Sequence, residues 1–576
     1  AILLNLIMLS FYWLFLFFPI NVLFIKIFSS VLVILGFFNI LKIKRINIKF
    51  YNNYFFYLFS LLFVFFFLYS LYPITDPDSL DYHIGVPIYS LENSYFYIKY
   101  YWIHSQLAGA GEALTILNLS VNAIFAPTFI QFISLLLIIA TFHFSKFKDF
   151  SQNSSKKFFI YILILSSPVL LFLVNTAKPQ LISIACNFIA FFLAFLILPK
   201  EKNINDKKKI YLIIIFLTLS ATQVKFSFLL SFAVIFLFTF YEMYKNKLTK
   251  FSFFSVFFFS LIILFPREFY EYLYINKNIF LNFFNPIPVE FISDSIKSSL
   301  KHGANLNLIP SLDRDIYQRI MPYWFFFALS PGEITYTLGL GCLIIFFNFK
   351  NKFQEVKKIL YALLIFLIFG LYLGQPTGRF FVEPYLWTIV LGCIGLDIQK
   401  NKKFKFFVIP IFVQALSVLM VLIITSYNFL PGILSKEKYE NVLHKFADGY
   451  DVFKWSNKYL PDNSVLLSTH RSMVFSKSKT VITDWRVFNG SEKMKTREHF
   501  INKLKLEKPT HILYVEHEHV HPMDIFKKCR GKLVKYGKDV GKFATRNPFN
   551  KESGIKYDAY IYEINYKDLD NYSKHC

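Results

Sequence analysis

The chain has 576 residues, 55% of them hydrophobic, with 74 Phe and a positive mean hydropathy. An ordinary soluble protein is less apolar and carries its apolar residues in short amphipathic segments, so this composition excludes that class and describes a polytopic membrane protein. A net charge of +25 would suit a nucleic-acid binder, but the Lys and Arg residues stand in short clusters between apolar runs, as topology determinants do, and no nucleic-acid partner is expected.

Ala1 already lies within an apolar segment without a basic flank, which reads as a trimmed or incomplete first helix and not as a signal peptide. Crossing a hydrocarbon core takes about 20 apolar residues, and about thirteen runs qualify on that criterion. They lie near residues 1–18, 20–41, 54–72, 123–143, 158–174, 179–198, 210–223, 226–243, 251–266, 333–348, 359–373, 384–397 and 406–427. The weakest divisions fall within 1–41 and 210–243.

Charge placement tests this division independently, because Lys and Arg accumulate in short cytoplasmic connections. Every second connection is basic: Lys42 to Arg45, then Lys146, Lys148, Lys156 and Lys157, then Lys200, Lys202 and Lys207 to Lys209. The series continues with Lys245, Lys247 and Lys250, then Lys350, Lys352, Lys357 and Lys358, then Lys400, Lys402, Lys403 and Lys405. An N-terminus inside follows, with the loops 73–122 and 267–332 and the tail from 428 onward on the outer face. No internal repeat is visible, which argues against transporters built from duplicated halves.

The tail, 428–576, is charged and alternating, as a soluble domain is. Residues 434–459 read as helix ending at Leu460-Pro461, and Val465–Leu467, Val481–Ile482, His511–Val515 and Ala559–Tyr562 read as strands, hence a small α/β domain. No Gly-rich phosphate loop follows a strand, so a nucleotide has no recognisable seat. His517, His519 and His521 alternate and in a strand would share a face able to bind zinc, although a solvated strand end is the commoner meaning of such a run. Cys186, Cys342, Cys393, Cys529 and Cys576 show neither metal spacing nor a disulfide framework.

The densest acidic cluster of the membrane half is Asp76, Asp78 and Asp81 with His83, directly after the third apolar run. Ionisable groups beside a spanning helix are costly unless they face a cavity or a partner, which makes them functional candidates. The same loop continues through Trp102-Ile103-His104 to Gly111-Glu112. A carboxylate there can act as general base toward an acceptor hydroxyl, or Asp78 and Glu112 could ligate a divalent cation. Asp76 is explained equally well as a turn residue. Three outer connections each carry one basic residue, Lys178, Lys225 and Arg379, suited to clamping a phosphate, with the Gly and Pro neighbours of Arg379 shaping its turn.

This combination resembles the GT-C superfamily of integral-membrane glycosyltransferases, whose protein-mannosyltransferase and aminoarabinose-transferase branches use polyprenyl-phosphate-linked sugars. The resemblance rests on Asp78-Ser-Leu-Asp-Tyr-His83, on Gly111-Glu112 before the next helix, on Gly378-Arg379-Phe380 with Pro384, and on the α/β tail. Asp76 and Asp78 are separated by Pro77, whereas those branches have an acidic pair standing directly together. The resemblance implies an α-helical transmembrane catalytic domain, 1–427, and an extracytoplasmic α/β domain, 428–576, in a bacterial inner membrane. It further implies a polyprenyl-phosphate-linked sugar donor among the membrane lipids and a lipid, glycan or protein acceptor. Asp78 is the leading base, with Asp81, His83 and Glu112 in the catalytic set; Arg379, Lys225, Lys178, Tyr82 and His104 would contact the substrate. The alternatives are a lipid-linked polysaccharide polymerase or ligase, and a membrane transporter.

Overall fold

The computed structural model describes residues 1–41, 53–96, 102–145, 154–271, 273, 322–328, 333, 336–347, 354–373, 377–394, 402–468, 470, 472–482, 504–505, 507–515, 532–542 and 554–566. The apolar runs fall on helix: Ile2–Phe17, Val22–Leu41, Tyr54–Tyr69, Ala126–His143, Ser154–Leu165, Gln180–Phe192, Ile204–Val224, Leu229–Lys245, Thr249–Ile263, Gln354–Leu373, Val382–Cys393 and Lys402–Phe429. The run at 333–348 forms 3-10 helix over Leu340–Phe347. Both weak divisions are real breaks, at Phe18, which is extended, and at Lys225, also extended.

Five helices among the described residues are long and apolar enough to cross a membrane, at Val22–Asn39, Ala126–His143, Gln180–Ile197, Phe226–Lys245 and Phe406–Phe429. Ile2–Phe17, Tyr54–Tyr69, Thr249–Ile263 and Val382–Cys393 are apolar but shorter. That is fewer than the about thirteen spans expected from run length alone. The physical reason is that several runs stop at polar caps: Ile204–Val224, for example, spends its first turns on Asp206 and Lys207 to Lys209.

The chain forms two compact units. The first comprises Ala1–Tyr72, Gly109–Phe269 and Asn307–Ile433 and is helical. Helices in lipid gain little from apolar burial against one another, so close packing and buried polar contacts must hold them. Gln180–Phe192 supplies both: nearly every residue in it is buried, and the small Ser183, Ala185, Cys186 and Ala190 let its neighbours approach. Gln131 Oδ-type capping of this helix comes from its amide, whose Oε1 accepts the Leu181 N–H at 3.0 Å; Ser183 Oγ donates to the Ala221 carbonyl, and Asn5 to Cys186 Sγ. Phe191 stacks on Trp387 with centroids 4.6 Å apart. Val22–Leu41, in contrast, exposes Leu23, Phe24, Ile27 and Val31, the pattern of a lipid-facing helix.

Polar connections sort to the two ends of these helices. At one end Lys358 pairs with Glu242 at 3.3 Å, Lys200 with Glu355 at 3.6 Å, and Lys207 donates to Asn246. These residues belong to the connections expected to be cytoplasmic. Helix Gln180–Phe192, extended by the π-helical Leu193–Ile197, runs from that end to the opposite one, where Lys178 lies.

The loop expected over 73–122 divides. Residues 110–120 form a buried helix, Ala110–Ser120, that packs in the first unit against Ile2–Phe17 and Val22–Leu41. The second unit comprises Pro73–Ala108, Tyr270–Leu306 and Leu434–Cys576. Its sheet has the order β2-β1-β3-β5-β4, with β1 Val465–Ser468, β2 Lys479–Ile482, β3 His511–Val515, β4 Leu533–Lys542 and β5 Lys556–Glu563. β1 pairs in parallel with β2 and β3, and β5 pairs antiparallel with β3 and β4. The expected strands are all present. β4 escapes the sequence pattern because it is an edge strand whose Lys535, Lys538 and Lys542 replace an apolar run, a composition that protects an exposed edge. The expected helix over 434–459 is two, Lys436–Phe446 and Tyr450–Ser456, divided at Gly449, whose φ of +77° lies in the left-handed region.

The opposite edge, β2, meets the segment after Pro73. Tyr89, on the helix Ile84–Asn93, both accepts from the Thr480 N–H at 2.8 Å and donates to the Thr480 carbonyl at 3.0 Å. One phenol thus satisfies the backbone groups that a neighbouring strand would otherwise take.

Replacing Gly111 by Ala sets a Cβ into the Pro179 ring, with Val224 Cγ1 2.9 Å away, where a rigid ring cannot yield. Overpacking of this kind should destabilise the helical unit by about 1–3 kcal/mol, read as a lower unfolding midpoint in detergent. In the second unit, burial depresses the affinity of His511 for a proton, opposed by Glu563. The folded state therefore binds fewer protons there, so its contribution is complete above the ordinary imidazole pKa of about 6.5 and is lost as pH falls. His511→Gln should flatten that acid-side loss in a pH series of denaturation midpoints.

Candidate functional site

The segment after Pro73 is ordered by its own polar groups. Asp76 Oδ2 accepts from the Ser79 N–H at 2.9 Å and from Ser79 Oγ at 2.8 Å, closing the turn that the Asp-Pro-Asp spacing suggested. Ser79–His83 then winds as π-helix, and Ile84–Asn93 continues as α-helix with Pro87 inside it. Pro87 has no N–H to offer the carbonyl of His83 and its ring crowds that carbonyl, so the wider turn lies where the α ladder cannot close. The widening turns Asp81, Tyr82 and His83 inward, and all three are buried.

Asp81 is the hub of this segment. It is 1% exposed; its Oδ1 accepts from Trp102 Nε1 at 2.9 Å, and its Oδ2 lies 2.7 Å from His104 Nδ1. Tyr82 stacks near-parallel on the His104 ring with centroids 5.8 Å apart, and contacts His83 at 3.9 Å. Gly85 lets Trp102 approach, since a Cβ there would stand 3.1 Å from its ring. Asp78 differs: it opens the π-helical turn without capping it and is only half-buried.

In the helical unit, Glu112 is 1% exposed and its Oε2 accepts the Gly109 N–H at 2.7 Å, a carboxylate capping the start of Ala110–Ser120. The capped segment threads between two of the singled-out basic connections. Gly109 lies against the carbonyls of Gln223 and Val224, next to Lys225, and Gly111 against Pro179, next to Lys178. The third connection joins them through Gln180, whose Nε2 donates to the Arg379 carbonyl at 2.7 Å, while Gly378 packs on the Tyr336 backbone.

Two phenylalanines gather the cations. Lys178 Nζ lies 4.3 Å from the centre of the Phe172 ring, and Arg379 lies 5.9 Å from the same ring. Arg379 is also 4.9 Å from the Phe380 ring, over which Lys225 Nζ stands at 4.8 Å. Each such contact contributes about 0.5–2 kcal/mol. Like charges oppose it, on the order of 2 kcal/mol for a pair about 8 Å apart at an effective dielectric of 20. Three cations held this way, beside a helix N-terminus, make a strongly anion-attracting surface.

The structure therefore groups Lys178, Lys225, Arg379 and Glu112 in one unit, and Asp78, Asp81, Tyr82, His83 and His104 in the other. Four contributors escaped the sequence reading. Arg267 lies beside Gly109, and the rule of one basic residue per outer connection would have found it after the run 251–266. Phe172 and Phe380 are invisible among 74 Phe, and Trp102 gives no sign of its carboxylate partner. No group of three or more His, Cys, Asp or Glu side chains placed to hold a metal ion occurs among the described residues. His517, His519 and His521 lie outside them.

The fold is that of a known enzyme. A crystal structure of ArnT from Cupriavidus metallidurans bound to undecaprenyl phosphate matches with a TM-score of 0.56 at 10% identity, over 88% of this chain and 97% of that one. The apo structure of the same protein matches with a TM-score of 0.53, also at 10% identity and over the same shares of the two chains. The Archaeoglobus fulgidus oligosaccharyltransferase aligns at 11% identity over 86% of this chain and 63% of its own, with a TM-score of 0.28. A search of curated proteins finds no match. The chain is a multi-pass membrane protein with an ArnT-like fold. The model of the DUF1420 N-terminal domain matches residues 22–443 and that of the DUF1420 C-terminal domain residues 444–575, so the chain belongs to the DUF1420 family.

Proposed function

We propose that this protein is a membrane glycosyltransferase of GT-C type, moving a sugar from a polyprenyl-phosphate carrier to an acceptor on the extracytoplasmic face of a bacterial inner membrane. The observation that carries this reading is the convergence of Lys178, Lys225 and Arg379 on the Phe172 and Phe380 rings, from three separate connections. The likeness in fold to ArnT, crystallised with undecaprenyl phosphate, supports a lipid phosphate as the anion.

In this reading the guanidinium of Arg379 offers a planar fork to the donor phosphate, and the two lysines add point charges. These groups stabilise the negative charge that grows on the phosphate as it leaves the anomeric carbon. Asp78, the half-buried carboxylate of the loop, orients and activates the acceptor hydroxyl. Asp76 and Glu112 act through structure, holding a turn and a helix start. A divalent ion at Asp78 or Glu112 is not required by these roles. The tail, 428–576, covers the site or recognises the acceptor. A transporter would instead spend its buried ionisable groups along a mid-membrane path, and a polymerase or ligase would carry arginine-dominated outer loops.

Purified protein should be stabilised thermally by undecaprenyl phosphate, and Arg379→Ala should weaken that binding by about tenfold or more, the loss of roughly one charged hydrogen-bonded contact. Equal stabilisation of both forms would remove the phosphate site from these cations. Asp78→Asn should lower release of undecaprenyl phosphate from a sugar-loaded donor by about 100-fold or more with insertion intact; unchanged release would move activation elsewhere. Reporter fusions after residues 45 and 430 should report opposite sides of the membrane, and same-side signals would overturn the topology.

A further inference from the structure

The inward face of the π-helical turn holds more than a buried carboxylate. Asp76 shows how this chain satisfies a structural aspartate, with a neighbouring serine and a backbone N–H. Asp81 is satisfied differently, by an indole N–H on Oδ1 and an imidazole on Oδ2, both drawn from a segment 21 and 23 residues away. An indole N–H can only donate, and a carboxylate beside an imidazole gives up its proton first, so Asp81 is the acceptor of both bonds. His104 then carries its proton on Nδ1 and its lone pair on Nε2, the tautomer of a base.

The ring is also held in orientation. Tyr82 stacks on it within 28° of parallel, and Trp102, which shares Asp81 with it, meets Tyr89 edge-on at 6.1 Å. Tyr89 is in turn fixed to the β2 backbone by its two bonds to Thr480. A chain of contacts thus runs from the sheet edge to the imidazole, all within the second unit.

We propose that His104 is the general base of the transfer and Asp81 its positioning residue. The proposal rests on the glycosyltransferase reading above and moves the final proton acceptor from Asp78 to His104. As the acceptor oxygen forms its bond to the anomeric carbon, its proton passes to His104 Nε2. The bond between the anomeric carbon and the phosphate oxygen breaks, and its electron pair leaves with the polyprenyl phosphate. Asp81 stabilises the resulting imidazolium, which returns its proton to water. An imidazole, with an ordinary pKa of about 6.5, matches this task near neutral pH better than an ordinary carboxylate at about 3.9. The titratable groups facing the ring are Asp81 and the stacked Tyr82.

The test uses the full-length protein in detergent, with undecaprenyl phosphate loaded with glucose, mannose or aminoarabinose as donor and total bacterial envelope lipid as acceptor. Release of undecaprenyl phosphate is followed by mass spectrometry. His104→Ala should lower release by about 100-fold or more, and added imidazole should restore part of it. Asp81→Asn would present an amide N–H to His104 and favour the other tautomer; it should lower kcat comparably and move the remaining acid limb of the pH profile to lower pH. Thermal stabilisation by undecaprenyl phosphate, retained in both variants, shows that they are folded. Wild-type turnover with undiminished release by His104→Ala overturns the assignment alone, as does a folded His104→Ala that imidazole does not rescue. Absence of release by the wild-type chain from every donor overturns the glycosyltransferase reading and the assignment with it.

Discussion

A charge removed from water costs several kcal/mol unless other groups replace its solvation. That single constraint organises both ends of this protein's chemistry. Asp81 is buried with both oxygens engaged, and the segment from Asp76 to His104 is shaped around meeting that requirement. The π-helical turn presents the carboxylate, Gly85 makes room for the indole, and Tyr89 fastens the helix that follows. In the helical unit the same constraint acts with opposite sign. Lys178 is 5% exposed, and the Phe172 face supplies part of what water no longer does.

The two units solve different packing problems with different residues. Among helices in lipid, where apolar contact confers little preference, small side chains and buried polar bonds decide which helices meet. Gln180–Phe192 carries that role, and its N-terminal Gln180 also tethers the Arg379 turn, so the most buried helix and the basic cluster are linked through one amide. In the second unit, apolar burial in β1, β3 and β5 supplies the core, and the two edges are protected by different means, lysines on β4 and a phenol on β2.

The acidic loop shows how far residue type alone can mislead. Four carboxylates in one loop look interchangeable in sequence, yet Asp76 closes a turn, Glu112 caps a helix, Asp81 holds an indole and an imidazole, and Asp78 is left half-buried at the start of the turn. Membership of the DUF1420 family and likeness to the ArnT fold give this loop and the basic cluster a shared architecture without assigning their parts.

Sequence by itself determined the elements that depend on local pattern. Apolar run length located the helices, even at the weak divisions near Phe18 and Lys225, because a stretch that must bury its backbone in lipid folds as helix whatever its partners. Alternation located four of five strands, and missed β4, whose lysine-bearing edge has no apolar signature. Spacing also singled out the acidic loop and the three outer cations. Only the tertiary structure decided which of those groups meet. Asp81 and His104 are 23 residues apart, and Arg379 and Phe172 are on separate helices' connections, joined through contacts that no local periodicity encodes. Such pairings are set by the packing of whole elements, and so the roles of the carboxylates and the sharing of two phenylalanine rings became readable only in the folded chain.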